Sequence, residues 1–140
     1  GSGAWDFQAG VAYSRFLTER VTLDASAVYT FRTEHDDYKV GDRFDAGLAV
    51  AYRFGESVQK FPNFSVFGEA SLVWLGKDTS MGDHRANTGG VSLFLSPGVR
   101  ARLSEHVSIT AAPSFPVLQN SNGDQIDTQF KFAFTISITL

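Results

Sequence analysis

The sequence predicts an all-β protein, an antiparallel transmembrane β-barrel, and three observations predict it. Seven segments alternate apolar and polar side chains with the two-residue period of an extended chain. The connections between them alternate short and long, as they do between the two sides of an outer-membrane barrel. Aromatic residues gather at the ends of the apolar faces, the pattern of side chains sitting at two membrane interfaces. The last segment, residues 129–140, is the clearest. Phe130, Phe132, Phe134, Ile136, Ile138 and Leu140 fall on one face, and Gln129, Lys131, Ala133, Thr135, Ser137 and Thr139 on the other. Twelve extended residues tilted near 45° rise roughly 28 Å, the thickness of a hydrocarbon core, whereas strands of soluble proteins usually stop at about five or six residues.

The other strands follow in order. Strand one is expected over residues 4–17, with Trp5, Phe7, Ala9, Val11 and Tyr13 on its apolar face, and Thr18, Glu19 and Arg20 turn it into strand two over residues 21–32. There Leu23, Tyr29 and Phe31 oppose Asp24, Thr30 and Arg32. A polar loop over residues 33–42 leads to strand three, residues 43–54, with Phe44, Leu48, Val50, Tyr52 and Phe54 against Arg43, Asp45 and Arg53. After a connection over residues 55–63, strand four takes residues 64–75 with Phe64 and Trp74 at the two ends of its apolar face. A long loop, residues 76–90, precedes strand five over residues 91–103. Ser104, Glu105 and His106 turn it into strand six, residues 107–119, and a third polar loop over residues 120–127 leads to the terminal strand. The whole chain, residues 1–140, reads as a single barrel domain.

Composition excludes several functions. A net charge of −3 carries no footprint for nucleic acid. The absence of Cys removes disulfides, thiol catalysis and Cys-based metal sites, and is compatible with an oxidising envelope compartment. No apolar run approaches the ~18 residues of a membrane helix, so any spanning falls to strands. His35, His84 and His106 lie in loops or turns at spacings unlike a metal site. Glu34, Asp36, Asp37, Asp42, Asp78, Asp83, Asp124 and Asp127 read as a solvated loop surface, without the ligand spacing of a calcium loop. No constellation supports catalysis, a metal or a cofactor, and no signal peptide opens the chain, which is expected for a mature chain or a fragment.

The inward face carries the candidate functional residues. Asp6, Arg32, Arg43, Asp45 and Lys131 are expected near the external mouth, Asp24, Arg53, Arg100 and Arg102 near the periplasmic mouth, and Glu69 with Phe67 between them among Gly, Ala and Ser. In a barrel of about eight strands such charges would pair and plug the interior, while around a wider barrel they would line a pore. Trp5, Phe7, Tyr29, Phe31, Phe44, Trp74 and Phe130 form the expected external girdle, and Tyr13, Tyr52, Phe54 and Phe64 the periplasmic one. Counting back from the turn at Glu105 sets Pro97 opposite Pro113, with Pro116 further on. Proline cannot donate to a ladder, so bulges or a local opening are expected there.

Seven strands with a periplasmic C-terminus place the N-terminus outside, and closing them on themselves would pair the first and last in parallel. Antiparallel closure therefore needs an odd number of further strands, from upstream in the same barrel or from another chain. The runs GSGAWDF, YTFRTEHDDYKVGDRFDAGLAVAYRF, ANTGGVSLFLSPGVRARLSEHVSIT and FPVLQ resemble the C-terminal part of the MetA-pathway phenol-degradation family of outer-membrane transporters. That resemblance implies a barrel of about twelve strands and makes residues 1–3 native loop, with the terminal Leu140 departing from the Phe on which barrels usually end. The expected function is a channel of the bacterial outer membrane for passive passage of small organic molecules, hydrophobic or aromatic by the resemblance, with membrane lipid and the solute as partners. The alternatives are a barrel that anchors or presents surface loops without transport, and a soluble ligand-binding barrel.

Overall fold

Alternation of side chains commits each long segment to a strand, and a computed structural model, which describes residues 3–55, 57 and 59–139, bears this out. The described residues form β1 (Asp6–Phe16), β2 (Val21–Arg32), β3 (Tyr38–Lys39), β4 (Arg43–Arg53), β5 (Asn63–Leu75), β6 (Thr79–Ser80), β7 (Asp83–His84), β8 (Gly90–Arg102), β9 (Val107–Ser121) and β10 (Lys131–Ile138), and no helix. Seven of these make one antiparallel half-barrel sheet in the order β1-β2-β4-β5-β8-β9-β10, each strand beside its neighbour along the chain. Expected Gly1 and Leu140 lie outside the described residues.

Two of the turns share a sequence and a structure. Leu17-Thr18-Glu19-Arg20-Val21 and Leu103-Ser104-Glu105-His106-Val107 both close a hairpin on a hydroxyl. Thr18 Oγ1 accepts the N–H groups of Arg20 and Val21 at 3.2 and 3.1 Å, and Ser104 Oγ those of His106 and Val107 at 3.2 and 3.1 Å. A side-chain oxygen thus supplies what the tight turn denies the main chain.

The sheet is one layer thick, and its two faces differ. Residues such as Ser14, Asp24, Ala49, Glu69 and Ser96 share one rung on the same side, and that side encloses a concavity of about 650 Å³. The polar face is therefore the concave one. Val11, Leu48, Val66, Phe132, Phe134 and Ile136 lie on the convex face and are all exposed. Among the described residues Phe94 is the only buried apolar side chain, at 4% exposure, and it belongs to the concave side. Nothing within the described chain covers the apolar face.

Successive strands are staggered. Thr22, one residue inside the end of β2, shares a rung with Ala51, Phe67 and Gly98, yet Gly98 still has residues 99–102 between it and the end of β8. The stagger is roughly one residue per strand, about 3.3 Å along for every ~4.8 Å across, a tilt of roughly 35° and close to that of closed barrels.

Two expectations are corrected. The terminal strand is shorter than the expected residues 129–140 and begins at Lys131. The reason is Pro116. Thr139 donates to the carbonyl of His106 at 2.9 Å, and hydrogen-bonded positions recur at every second residue. Pro116 falls opposite Gln129 at such a position, without a donor, and the ladder stops there. Beyond it the Gln119 side chain substitutes for main chain, donating to the Thr128 carbonyl at 2.8 Å and accepting its N–H at 2.9 Å.

The second correction concerns the segments over residues 33–42 and 76–90, expected as loops. They are joined through a second sheet of order β3-β6-β7. Its tight turns use Asp36 and Asp37, at φ 51° and 58°, and Met81 with Gly82, at 53° and 83°. These left-handed pairs are what a two-residue hairpin requires.

Candidate functional site

The concave face gathers the charged strand residues the sequence singled out, and treats them in two ways. At the long-loop end they pair with each other. Arg43 grips Asp45 with two hydrogen bonds of 2.7 and 2.6 Å, and Arg32 stands 3.6 Å from Asp6 while donating to the Gly41 carbonyl at 2.9 Å. At mid-height and toward the short-turn end they do not. Asp24, Arg53, Glu69, Arg100, Arg102 and Lys131 make no ion pair among the described residues. Asp24 accepts the Ser14 hydroxyl at 2.5 Å, Arg53 donates to the Glu19 carbonyl, and Arg100 donates to Thr110 Oγ1 at 3.2 Å.

Aromatic rings accompany these cations. The Arg100 guanidinium lies 5.8 Å from the centre of the Phe67 ring and that of Arg102 5.2 Å from Phe61. Lys131 Nζ stands 3.8 Å over the Phe94 ring, close enough for a substantial attraction between cation and ring. Phe94 was not singled out in the sequence, although its parity with Ser92 and Ser96 assigns it to this face. Phe67 lies against Gly98. A Cβ there would meet the ring at 2.1 Å, so only glycine lets the phenyl group lie flat on the wall. The concavity is lined in part by Phe67, Glu69, Arg53, Arg100, Arg102 and Asn63.

On the convex face the aromatics stand in rows across the strands. Tyr29 pairs with Phe44 and Phe44 with Trp74 near the long-loop end, beside Phe7 paired with Phe31, and Trp5 precedes them. Tyr52 and Phe54 meet edge to face at 5.3 Å toward the other end, with Tyr13 and Phe64 on that side of the sheet. Phe130 reaches the Phe115 ring at 5.5 Å.

Where the long loops meet at one end of the sheet, two carboxylates expected as solvated surface are bonded, Asp42 by β2 and its own loop and Asp78 by the loop that carries β3. Asp42 accepts the Arg32 N–H at 3.0 Å and the Tyr29 hydroxyl at 3.1 Å, with Lys39 Nζ at 3.1 Å. Burial alone would raise its pKa, but these donors outweigh burial and hold the carboxyl below its ordinary value. Asp78 accepts the Tyr38 hydroxyl at 2.5 Å and the Gly41 N–H at 2.8 Å. That hydrogen bond, with burial and the negative charge of Asp78 adding to it, raises the Tyr38 phenol. The backbones touch where the loops cross: a Cβ on Gly41 would stand 2.0 Å from the Gly76 carbonyl oxygen.

The prolines interrupt the wall. Pairs Leu95 with Phe115 and Val99 with Ala111 set Pro97 opposite Pro113, and no ladder pair forms between them; a register shift follows at Leu93/Phe94. Leu103 donates to the Val107 carbonyl at 2.9 Å, so position 97/113 is one at which both residues should donate. Neither can. Pro97 pairs with Gly68 on its other side and Pro113 with Phe132.

A family model described as "Putative MetA-pathway of phenol degradation" matches residues 1–116, ending before β10. No curated protein matches the chain.

Proposed function

The chain belongs to the MetA-pathway phenol-degradation family, and from that premise we propose that it forms wall of a bacterial outer-membrane β-barrel, a channel for passive passage of small hydrophobic or aromatic molecules, without catalysis. One observation carries the reading. The convex face is a continuous apolar surface, exposed side chain by side chain and rimmed with aromatics, while the opposite face is polar and charged. In water such a surface has no cover, whereas lipid covers it and the strands satisfy their own backbone. The small residues between the charged groups leave the concave side hollow. The edges β1 and β10 run the same way, so an antiparallel barrel is completed by an odd number of further strands, about five if the whole has about twelve.

The test is made on the full-length parent protein. Extraction from the envelope should require detergent, and the purified barrel should give stepwise conductance in planar bilayers. Recovery as a soluble species without detergent would overturn the membrane assignment. A second reading, a barrel that presents surface loops without transport, is favoured by the bonding of the two loops through the Asp78 carboxylate and the main-chain carbonyl of Asp42. Folded protein with no conductance would establish that reading instead.

A further inference from the structure

We infer that the wall contains a lateral slot between β8 and β9 at Pro97 and Pro113, latched on the concave side by Ser96 and Ser114, through which a small apolar ring compound passes between the lumen and the lipid. The inference rests on the channel reading above. Its first support is the backbone. The Pro97/Pro113 position lacks both of its donors, so the two carbonyls face each other with no main-chain partner across the gap. In lipid this is the weakest place of the hairpin.

What joins the strands there is a side-chain bond. Ser96 Oγ donates to Ser114 Oγ at 2.8 Å on the concave side, and a hydroxyl pair opens by rotation about χ1 while the ladder on either side stays intact. Ser96 is buried, at 9% exposure, so this bond is made away from bulk solvent.

Both sides of the slot have an apolar approach. On the concave side the flat ring of Phe67 lies against Gly98, on one rung with Ala51 and Thr22. On the convex side Gly68, paired to Pro97, has nothing within 4 Å of where a Cβ would stand. A dent in the apolar face thus meets the missing rung. β9 is also loosely tied just beyond it. Its register with β8 shifts at Leu93/Phe94, and its ladder with β10 reaches no further than Ser114. The segment that must move to widen the slot is held less firmly on both flanks than the rest of the strand.

The experiment uses the full-length protein carrying Ser96→Cys with Ser114→Cys; these 140 residues contain no other Cys, and any Cys elsewhere in the protein is replaced by Ser. Directly opposed residues at a non-hydrogen-bonded position are close enough for a disulfide. In cells with an intact lipopolysaccharide leaflet, uptake of 1-naphthol should fall several-fold on oxidation and return on reduction, while single-channel conductance of the purified protein stays the same in both states. Pro97→Val with Pro113→Val, which restores both donors, should produce the same selective loss without any disulfide. Equal uptake in the oxidised and reduced states, with the bridge confirmed by mass, overturns the slot. So does a parallel fall of uptake and conductance, which marks a single axial path. Wild-type protein that conducts nothing would defeat the channel reading itself, a result separate from these.

Discussion

Asp42 shows how much a single loop carboxylate can organise. It joins the end of β2 to the start of β4 through Arg32, Tyr29 and Lys39, and its main-chain carbonyl accepts the Gly76 N–H at 2.8 Å. Asp42→Ala should leave the strands in place and loosen the loops, raising amide exchange at Arg32 and Gly41 roughly tenfold, the scale of one charge-assisted hydrogen bond. No change in exchange at those amides would mean the loops are held by β3, β6 and β7 alone. The pH dependence has a definite sign. The carboxyl of Asp42 is depressed in the folded state, so its contribution is complete above the ordinary carboxylate pKa and is lost as pH falls through the lower folded value. The Tyr38 phenol is raised, so its contribution is complete below the ordinary tyrosine pKa and is lost as pH rises through the higher one. Loop protection should be flat from about pH 5 to 9 and fall on both sides, and a change centred near neutrality would implicate other groups.

Among the elements, the β1–β2 and β8–β9 turns are each closed by one hydroxyl, which gives a compact prediction. Thr18→Ala and Ser104→Ala should each destabilise their hairpin by about 1 kcal/mol, read as faster exchange of the Val21 or Val107 amide, and an unaltered rate would show that the loop of main-chain bonds suffices. These turns and the long strands were legible from sequence because their signals are local. Val21–Arg32 was expected and found with the same bounds, since a strand polar on one face and apolar on the other repeats every second residue. The opposition of Pro97 to Pro113 was legible as well, by counting from a tight turn. What was not legible depends on contacts between distant segments. β3, β6 and β7 have two residues each, too few for a period, and Asp42 and Asp78 look like any acidic loop until the loops meet. The start of β10 depends on the phase of Pro116 relative to its partner. Gln119→Leu should free residues 122–130 from β9, seen as loss of protection at the Thr128 amide, and persistent protection there would assign the anchoring to the Phe115–Phe130 contact.

At the scale of the whole molecule, the concave face sets an electrostatic preference that counting charges alone obscures. Asp6 with Arg32 and Arg43 with Asp45 are paired and contribute little field beyond a Debye length of ~8 Å. Among the described residues, the strand charges of this face left without an ion-pair partner are Arg53, Arg100, Arg102 and Lys131 against Asp24 and Glu69, a surplus of cations. Three of the four cations lie toward the short turns, where Arg53, Ser65 and Arg100 share one rung and Arg102 opposes Asn63. In the proposed channel a passing ion meets these groups with no carboxylate of the described residues bridging them, so anions should be preferred, most strongly at low salt. Arg100→Glu with Arg102→Glu reverses the balance, leaving Arg53 and Lys131 against Asp24, Glu69 and the two new carboxylates. In a salt gradient across a planar bilayer the reversal potential of the full-length protein should move toward cation preference, and the movement should shrink as ionic strength rises. Arg43→Gln with Asp45→Asn, which deletes a neutral pair of similar size, should leave the potential nearly where it was. If the double Glu variant conducts with an unchanged reversal potential, Arg100 and Arg102 lie off the conducting path, and the concave surplus of charge does not select the ion.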